Sequence, residues 1–240
     1  LGEGKTTKYF KYAIGEILLV VIGILIALHI NNWNEETQNN KSLNYYLVAL
    51  QKENESNIKA LKFYLDYLKN DVSIINKYLT LLNTKFPDKV NDTTLINLIT
   101  ELGPLRIGQL ENAVYEELLN SNLISTLEEG TFKRDLFWFK ERIILYNENT
   151  KEVYAGWNNE LRPYYIKHGN IIKMRDSIMH VKLPSTYSKI KRASFINNNE
   201  INNILVNRAM FNARATTIII ATKKRVEELN QKIKIFLEND

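Results

Sequence analysis

The strongest pattern in the chain is a nearly unbroken apolar run over residues 13–30, which contains a single carboxylate, Glu16. At about 1.5 Å per residue, a helix of this length crosses most of a hydrocarbon core about 30 Å thick. Aromatic side chains stand where a spanning helix needs interfacial anchors, with Tyr9 and Tyr12 before the run and Trp33 after it. The pattern predicts a transmembrane helix over 13–30.

Beyond the run, apolar residues recur at alternating intervals of three and four, which is the period of an amphipathic helix with a coiled-coil-like heptad stripe. Strand signals are weak, and residues 181–183 are the best candidate. Long helices with short connections predict an all-α fold, in which one transmembrane helix is followed by an antiparallel bundle. The predicted long helices cover about 41–86, 131–167 and 199–239, and the predicted short helices cover about 93–102 and 110–120.

Charge around the apolar run predicts its orientation. Lys5, Lys8 and Lys11 precede it, whereas no Lys or Arg follows it until Lys41. The positive-inside rule therefore predicts a cytoplasmic basic tail over 1–12. The helical domain over 31–240 then lies in the periplasm of a bacterium, and the span lies in the inner membrane. Because the chain begins at Leu1, we expect further residues before it.

A secretory signal peptide has a similar layout of basic and apolar residues. Such a peptide usually has a shorter apolar core and ends at a small-x-small cleavage site. Ala27-Leu28-His29 does not provide that site. We therefore favour an uncleaved signal anchor over a signal peptide.

One face of the predicted span carries a heptad stripe with a small-xxx-small pair, Gly23 and Ala27, which lets two membrane helices approach closely. This stripe predicts self-association or docking on another membrane protein. Glu16 has two interpretations: the free N–H groups at the helix start stabilise its carboxylate, or it makes a polar contact within the interface. The stripe residues are Ala13, Glu16, Val20, Gly23, Ala27 and Ile30.

Residues 8–17 (KYFKYAIGEI), 20–28 (VVIGILIAL) and 31–35 (NNWNE) carry a resemblance. Together they resemble the N-terminal signature of an uncharacterised single-pass membrane-protein family of Bacteroidota. The resemblance covers about residues 4–36, and His29 departs from the amide expected at that position. It implies a short basic start, a span and a charged helical remainder. It implies no catalytic residue.

Polar residues interrupt the apolar stripes of two long helices. Asn54 is in register with the stripe of the first helix, and Arg208 and Asn212 are in register with that of the last. Buried polar groups of this kind commonly fix helix pairing at some cost in stability. The alternative is a small-ligand site. Aromatic residues at heptad spacing are interpreted as core rather than as a ligand cage.

The sequence shows no recognisable catalytic or metal-binding motif. The chain has no Cys, which excludes disulfides and thiolate zinc sites. Its three histidines, His29, His168 and His180, do not share the one-turn spacing of a helical metal site. Residues 4–7 resemble only the end of a phosphate-binding loop, without its strand. We therefore expect no enzyme activity, no metal and no cofactor.

The charge of the predicted periplasmic domain is unevenly distributed. Residues 162–192 contain eight basic residues but a single acidic residue, Asp176. Anionic lipid headgroups, an acidic envelope polymer or an acidic partner would suit this patch, and the predicted compartment argues against nucleic acid. The alternative is a solvated basic loop that balances Glu116, Glu117, Glu128 and Glu129. The patch residues are Arg162, Lys167, Lys173, Arg175, Lys182, Lys189, Lys191 and Arg192.

Two functions fit these observations. The first is a non-enzymatic interaction protein, in which the span anchors a periplasmic helical bundle as a scaffold or accessory subunit, either as a homo-oligomer or bound to another membrane protein. The second is a periplasmic sensor or ligand-binding module that signals through a partner. The heptad stripe in the span favours the first.

Overall fold

The structure is a computed structural model that describes residues 3–127, 130–169 and 190–239, with side chains from Ile14 onward. Every regular element in these ranges is helical, which confirms the all-α fold. The strand candidate at 181–183 lies outside the described residues. The helices are α1 (Glu3–Leu82), α2 (Asp92–Glu101), α3 (Ala113–Asn120), α4 (Leu123–Thr126), α5 (Thr131–Gly156), α6 (Arg162–His168) and α7 (Asn199–Asn239).

The apolar run and the first predicted long helix are one continuous helix, α1, because no Gly or Pro occurs between Gly23 and Pro87. The helix ends at Leu82, four residues before the predicted end. The Asn83 side chain donates to the Leu79 carbonyl at 2.8 Å, and the Leu82 carbonyl accepts from the Asn197 N–H at 3.0 Å. These bonds satisfy carbonyl groups that a longer helix would use.

The chain forms two compact units, and the boundary between Leu50 and Gln51 lies inside α1. Residues 31–240, predicted as the helical domain, therefore contribute to both units. The first unit comprises residues 1–50 and 113–128, and α3 and α4 belong to it. Asn122 joins these two helices with φ 60°, a left-handed conformation that Asn tolerates. Buried side chains in this unit are Leu43, Leu47, Leu50, Tyr115, Leu118, Leu123, Ile124 and Leu127.

The second unit comprises residues 51–112 and 129–240. Helices α5 and α7 run antiparallel in it, since Glu152 pairs with Arg214 and Asp135 pairs with Lys232. Helix α7 also runs antiparallel to the last turns of α1, since Asn202 bonds to Asn83 and Arg208 pairs with Asp71. The core of the second unit includes Ile75, Tyr78, Leu82, Leu95, Leu98, Ile99, Leu102, Leu161, Tyr164, Tyr165, Phe195, Ile201 and Leu205.

An extended segment over residues 103–112 connects α2 to α3, so the predicted helix over 110–120 begins only at Ala113. Alternate side chains along it are buried, including Leu105 and Ile107. Its carbonyl groups accept hydrogen bonds from side chains of α1 and α5. The donors are Tyr67 to Pro104 at 3.1 Å, Tyr146 to Gly108 at 2.8 Å, Asn57 to Glu111 at 2.8 Å, and Tyr154 to Ile107.

The helix predicted over 131–167 is interrupted near its end. Helix α5 stops at Gly156, a π-helical turn follows over Trp157–Leu161, and α6 begins at Arg162. Pro163 explains the interruption, because its nitrogen cannot donate a hydrogen bond and its ring would clash with a carbonyl one turn earlier in an α-helix. A π-turn accommodates such a residue by widening the helix locally.

Candidate membrane-spanning and interaction surfaces

The large apolar side chains described in the first apolar run of α1 are all exposed. An 18-residue window in this helix has a mean hydropathy of 2.3, and 0 % of it is buried. A core helix of a soluble protein would bury one face, whereas Leu19 is 72 % exposed and Leu25 is 60 % exposed. Each exposed apolar Å² costs about 25 cal/mol in water. In the described residues, this is the one helical segment long and apolar enough to span a membrane.

The described stripe residues of this segment have no intramolecular cover. Glu16, Val20, Gly23, Ala27 and Ile30 are all exposed. A Cβ atom added to Gly23 would meet no atom within 4 Å, so the space beside this glycine is open. The stripe therefore presents a free helix surface. The side chain of Ala13 lies outside the described residues.

Of the three predicted interfacial anchors, the structure describes the side chain of Trp33. Trp33 is 65 % exposed, as an anchor at a lipid–water interface must be. Its carbonyl accepts a hydrogen bond from the Thr37 hydroxyl at 2.8 Å. Tyr9 and Tyr12 lie on α1, but their side chains are outside the described residues.

The structure describes four of the eight residues in the predicted basic patch. Arg162, Lys167 and Lys191 are exposed. Arg192 instead binds within the fold: it pairs with Asp92 and donates to the carbonyls of Pro87 at 3.1 Å and Val90 at 2.6 Å. Arg192 is therefore a structural residue that holds the loop before α7 against the start of α2. The other four, Lys173, Arg175, Lys182 and Lys189, lie outside the described residues.

The histidines do not form a metal site in the described part of the chain, which contains no group of three or more His, Cys, Asp or Glu residues suited to a metal ion. His29 is exposed on α1, and His180 lies outside the described residues. His168 Nδ1 lies 3.0 Å from the Ser194 hydroxyl, a contact that the sequence pattern did not indicate.

The backbone beside the contact between His168 and Ser194 is already hydrogen-bonded. The backbone N–H groups of Ser194, Phe195 and Ile196 all donate to carbonyls at Lys191 or Arg192. They are therefore not free to stabilise an oxyanion, which is the largest electrostatic requirement of acyl transfer. The contact closes the end of α6 against the loop that precedes α7.

The three polar residues predicted to lie in core stripes are indeed buried. Arg208 and Asn212 meet Asp71, which the sequence interpretation missed. Arg208 Nε lies 2.8 Å from Asp71 Oδ2, and Arg208 Nη2 lies 2.6 Å from Asp71 Oδ1. Asn212 adds a bond to Asp71 Oδ2 at 2.7 Å, and Arg208 Nη1 donates to the Leu102 carbonyl at 3.2 Å. Asn54 is completely buried, and neither of its side-chain polar atoms has a hydrogen-bond partner in the described structure.

The surroundings of this cluster are closed to solvent. The Cζ atom of Arg208 lies 6.0 Å from the centre of the ring of Trp157, a residue of the π-helical turn. Burial raises the pKa of the Tyr78 and Tyr165 phenols well above their usual value, so both stay neutral. Asp71 and Arg208 are 2 % and 4 % exposed. The cluster therefore ties α1, α2 and α7 together rather than presenting charged groups to a ligand.

These features define an all-α protein with one N-terminal helical segment long and apolar enough to span a membrane. Residues 16–103 match a protein family whose description reads "Family of unknown function (DUF6090)". The matched range begins at Glu16 in the apolar run and ends just beyond α2. It agrees with the expected resemblance to an uncharacterised family. No curated protein and no solved structure matches the chain.

Proposed function

We propose that this chain is a single-pass protein of a bacterial inner membrane that acts as a non-enzymatic interaction or scaffold subunit. The observation that carries the proposal is the apolar segment of α1, of which no part is buried against the described residues. Contact of such a surface with a hydrocarbon phase costs no free energy, whereas its contact with water does. The Bacteroidota resemblance over residues 4–36 supports the bacterial assignment.

The span associates with a second copy or with a helix of another membrane protein. Lipid tails provide no hydrophobic driving force between helices, so association relies on close packing at small residues. Gly23 and Ala27 supply such a surface, and the open space at Gly23 supports its use by a partner helix. Glu16, exposed on the same stripe, is then a polar contact in the interface instead of a charge facing lipid.

The helical domain that follows the span serves as the scaffold. Its buried ion pair, between Asp71 and Arg208, is held by two hydrogen bonds of 2.8 and 2.6 Å and is nearly closed to solvent. This arrangement supports a structural role for the cluster. The exposed basic residues Arg162, Lys167 and Lys191 remain a surface for an anionic headgroup or envelope polymer.

The substitution Gly23→Leu tests association through the span. We expect it to weaken assembly about tenfold, the equivalent of about 1.4 kcal/mol, because a branched side chain separates the two helices. Crosslinking in native membranes and sedimentation in mild detergent measure the assembly. Gly15→Leu is the matched control: it makes the same change off the stripe, and an added Cβ meets no atom there either. Unchanged assembly in Gly23→Leu would reduce the segment to a plain anchor.

Single cysteines test the orientation without background, because the chain has no native Cys. In spheroplasts, we expect a membrane-impermeant maleimide to label Asn40→Cys at once and to label Thr6→Cys only after lysis. The physical reason is the lysine-rich start, which is retained in the cytoplasm. The reverse labelling pattern would contradict the orientation. Release of a shortened chain into the periplasm would contradict the uncleaved anchor.

A further inference from the structure

A small cavity lies between helices α5 and α7 of the second unit. Phe139 and Leu229, which are buried, line its inner part, and Trp138 and Leu145, which are 57 % and 40 % exposed, line it towards the solvent. Its volume is about 130 Å³. An apolar cavity of about 150 Å³ is large enough for a benzene molecule. The apolar part of this cavity therefore accepts a group of about one ring.

Arg142 lines the same cavity and lies between Trp138 and Leu145 on one face of α5. The residue is half-buried, and its side chain has no hydrogen-bond or ion-pair partner in the described part of the chain. Arginine is withdrawn from water mostly where an anion or another acceptor meets its guanidinium. The free N–H donors of Arg142 therefore favour an anionic group at this apolar cavity.

The other charged residues that line the cavity are already compensated or screened. Asp135 pairs with Lys232, and Glu228 pairs with Arg225 at 3.1 Å. Glu141 is exposed, so water and salt screen its charge. The guanidinium of the half-buried arginine is therefore the one cation described in this lining whose charge a ligand can still neutralise.

We propose that this cavity binds a small monocarboxylate whose apolar body is about the size of one ring, such as an aromatic acid. A planar guanidinium can donate two parallel hydrogen bonds to a carboxylate, and the apolar body replaces water against Trp138 and Leu145. The three acidic residues of the lining, Asp135, Glu141 and Glu228, oppose a dianion such as a phosphate monoester. The inference goes beyond the proposed function and does not depend on it, because the cavity lies outside the span.

Fluorine NMR with two probes tests the proposal on the full chain in nanodiscs of zwitterionic lipid. 4-Fluorobenzoate carries the carboxylate, and 4-fluorobenzamide has nearly the same shape without the charge. We expect the benzoate to bind at least about tenfold more tightly, because its hydrogen bonds to Arg142 are charge-assisted. Empty nanodiscs give the partition of each probe into lipid. Equal affinities of the two probes, or no binding of the benzoate beyond that to empty nanodiscs, would overturn the proposal.

The substitution Arg142→Met shows whether this guanidinium holds the carboxylate. It keeps an unbranched side chain and removes the charge, so we expect the affinity for 4-fluorobenzoate to fall about tenfold and that for 4-fluorobenzamide to change little. Arg134→Met is the matched control, because Arg134 is an exposed arginine on the same helix outside the cavity lining. Circular dichroism checks that both variants keep their helix content. Equal losses of benzoate affinity in the two variants would contradict the site.

A second variant keeps Arg142 and changes the apolar wall of the cavity. Leu145→Asp places a carboxylate one turn after Arg142, where it pairs with the guanidinium within the helix. We expect this variant to fold, because Leu145 is 40 % exposed, and to lose at least about tenfold in affinity for 4-fluorobenzoate. An unchanged affinity would overturn the proposal, even if Arg142→Met reduced binding through a change in fold.

Discussion

Replacing Arg208 with Met should destabilise the second unit by about 3–5 kcal/mol, the usual cost of removing one partner of a buried ion pair. The substitution leaves the Asp71 carboxylate with a single described donor, Asn212, in a site that is nearly closed to water. It also leaves the Leu102 carbonyl without its donor at the end of α2. Urea unfolding of the full chain in mild detergent, followed by circular dichroism, measures the loss.

Arg214→Met is the matched control, because it makes the same change two turns later on α7. Its pair with Glu152 is exposed, with side chains 60 % and 46 % accessible. Exposed pairs contribute about 0–1 kcal/mol, so we expect little change. Combining Arg208→Met with Asp71→Leu should restore part of the stability, since it removes the unpaired buried charge but leaves the Leu102 carbonyl and the Asn212 amide without these partners. Equal effects of Arg208→Met and Arg214→Met would contradict the structural role of the cluster.

Asn57→Ala should cost about 2–4 kcal/mol, because it removes two hydrogen bonds and leaves their backbone partners unsatisfied. Asn57 is 1 % exposed. Its amide donates to the Glu111 carbonyl at 2.8 Å, and its side-chain carbonyl accepts from the Glu111 N–H at 2.8 Å. These bonds hold the extended segment over 103–112 against α1. The urea midpoint measures the loss, and amide exchange in residues 103–112 should accelerate.

Asn54 lies almost one turn earlier on α1 and should behave in the opposite way. It is also buried, but neither side-chain polar atom has a partner in the described structure. Asn54→Leu keeps the branched shape and removes an unsatisfied amide, so we expect a gain of about 1–2 kcal/mol. The same unfolding measurement applies. A loss of stability in Asn54→Leu would show that this amide has a bonding role.

The spacing of apolar residues predicted some of the buried polar residues but not all of them. Asn54, Arg208 and Asn212 were placed in core stripes by spacing alone, and all three are buried. The pattern did not indicate Asp71, because its spacing fits both the apolar and the polar side of α1. Only the position of Arg208 on α7, distant in the chain, shows that this carboxylate faces inward. The pattern did not indicate Tyr78 either, which is also completely buried.

The ends of the helices could likewise be predicted only where they depend on neighbouring residues. Helix α7 begins at the predicted residue, where the adjacent Asn198 side chain accepts a hydrogen bond from the Glu200 N–H at 2.9 Å. Helix α1 ends four residues early, where the N–H of Asn197, which is distant in the chain, bonds to the Leu82 carbonyl. The extended segment over 103–112 could not be predicted, since the tyrosines and Asn57 that bind its backbone come from α1 and α5. Pro163 was visible in the sequence, yet the π-turn that accommodates it was not expected.

The sequence by itself determined the helical class, the apolar segment over 13–30 and the periodic faces of the long helices. These properties depend on local composition and on the 3.6-residue period, so neighbouring residues are sufficient to specify them. Only the tertiary structure decided which polar residues are paired and where the chain divides into two units. Burial and pairing are relations between distant segments, and they exist only once those segments have packed together.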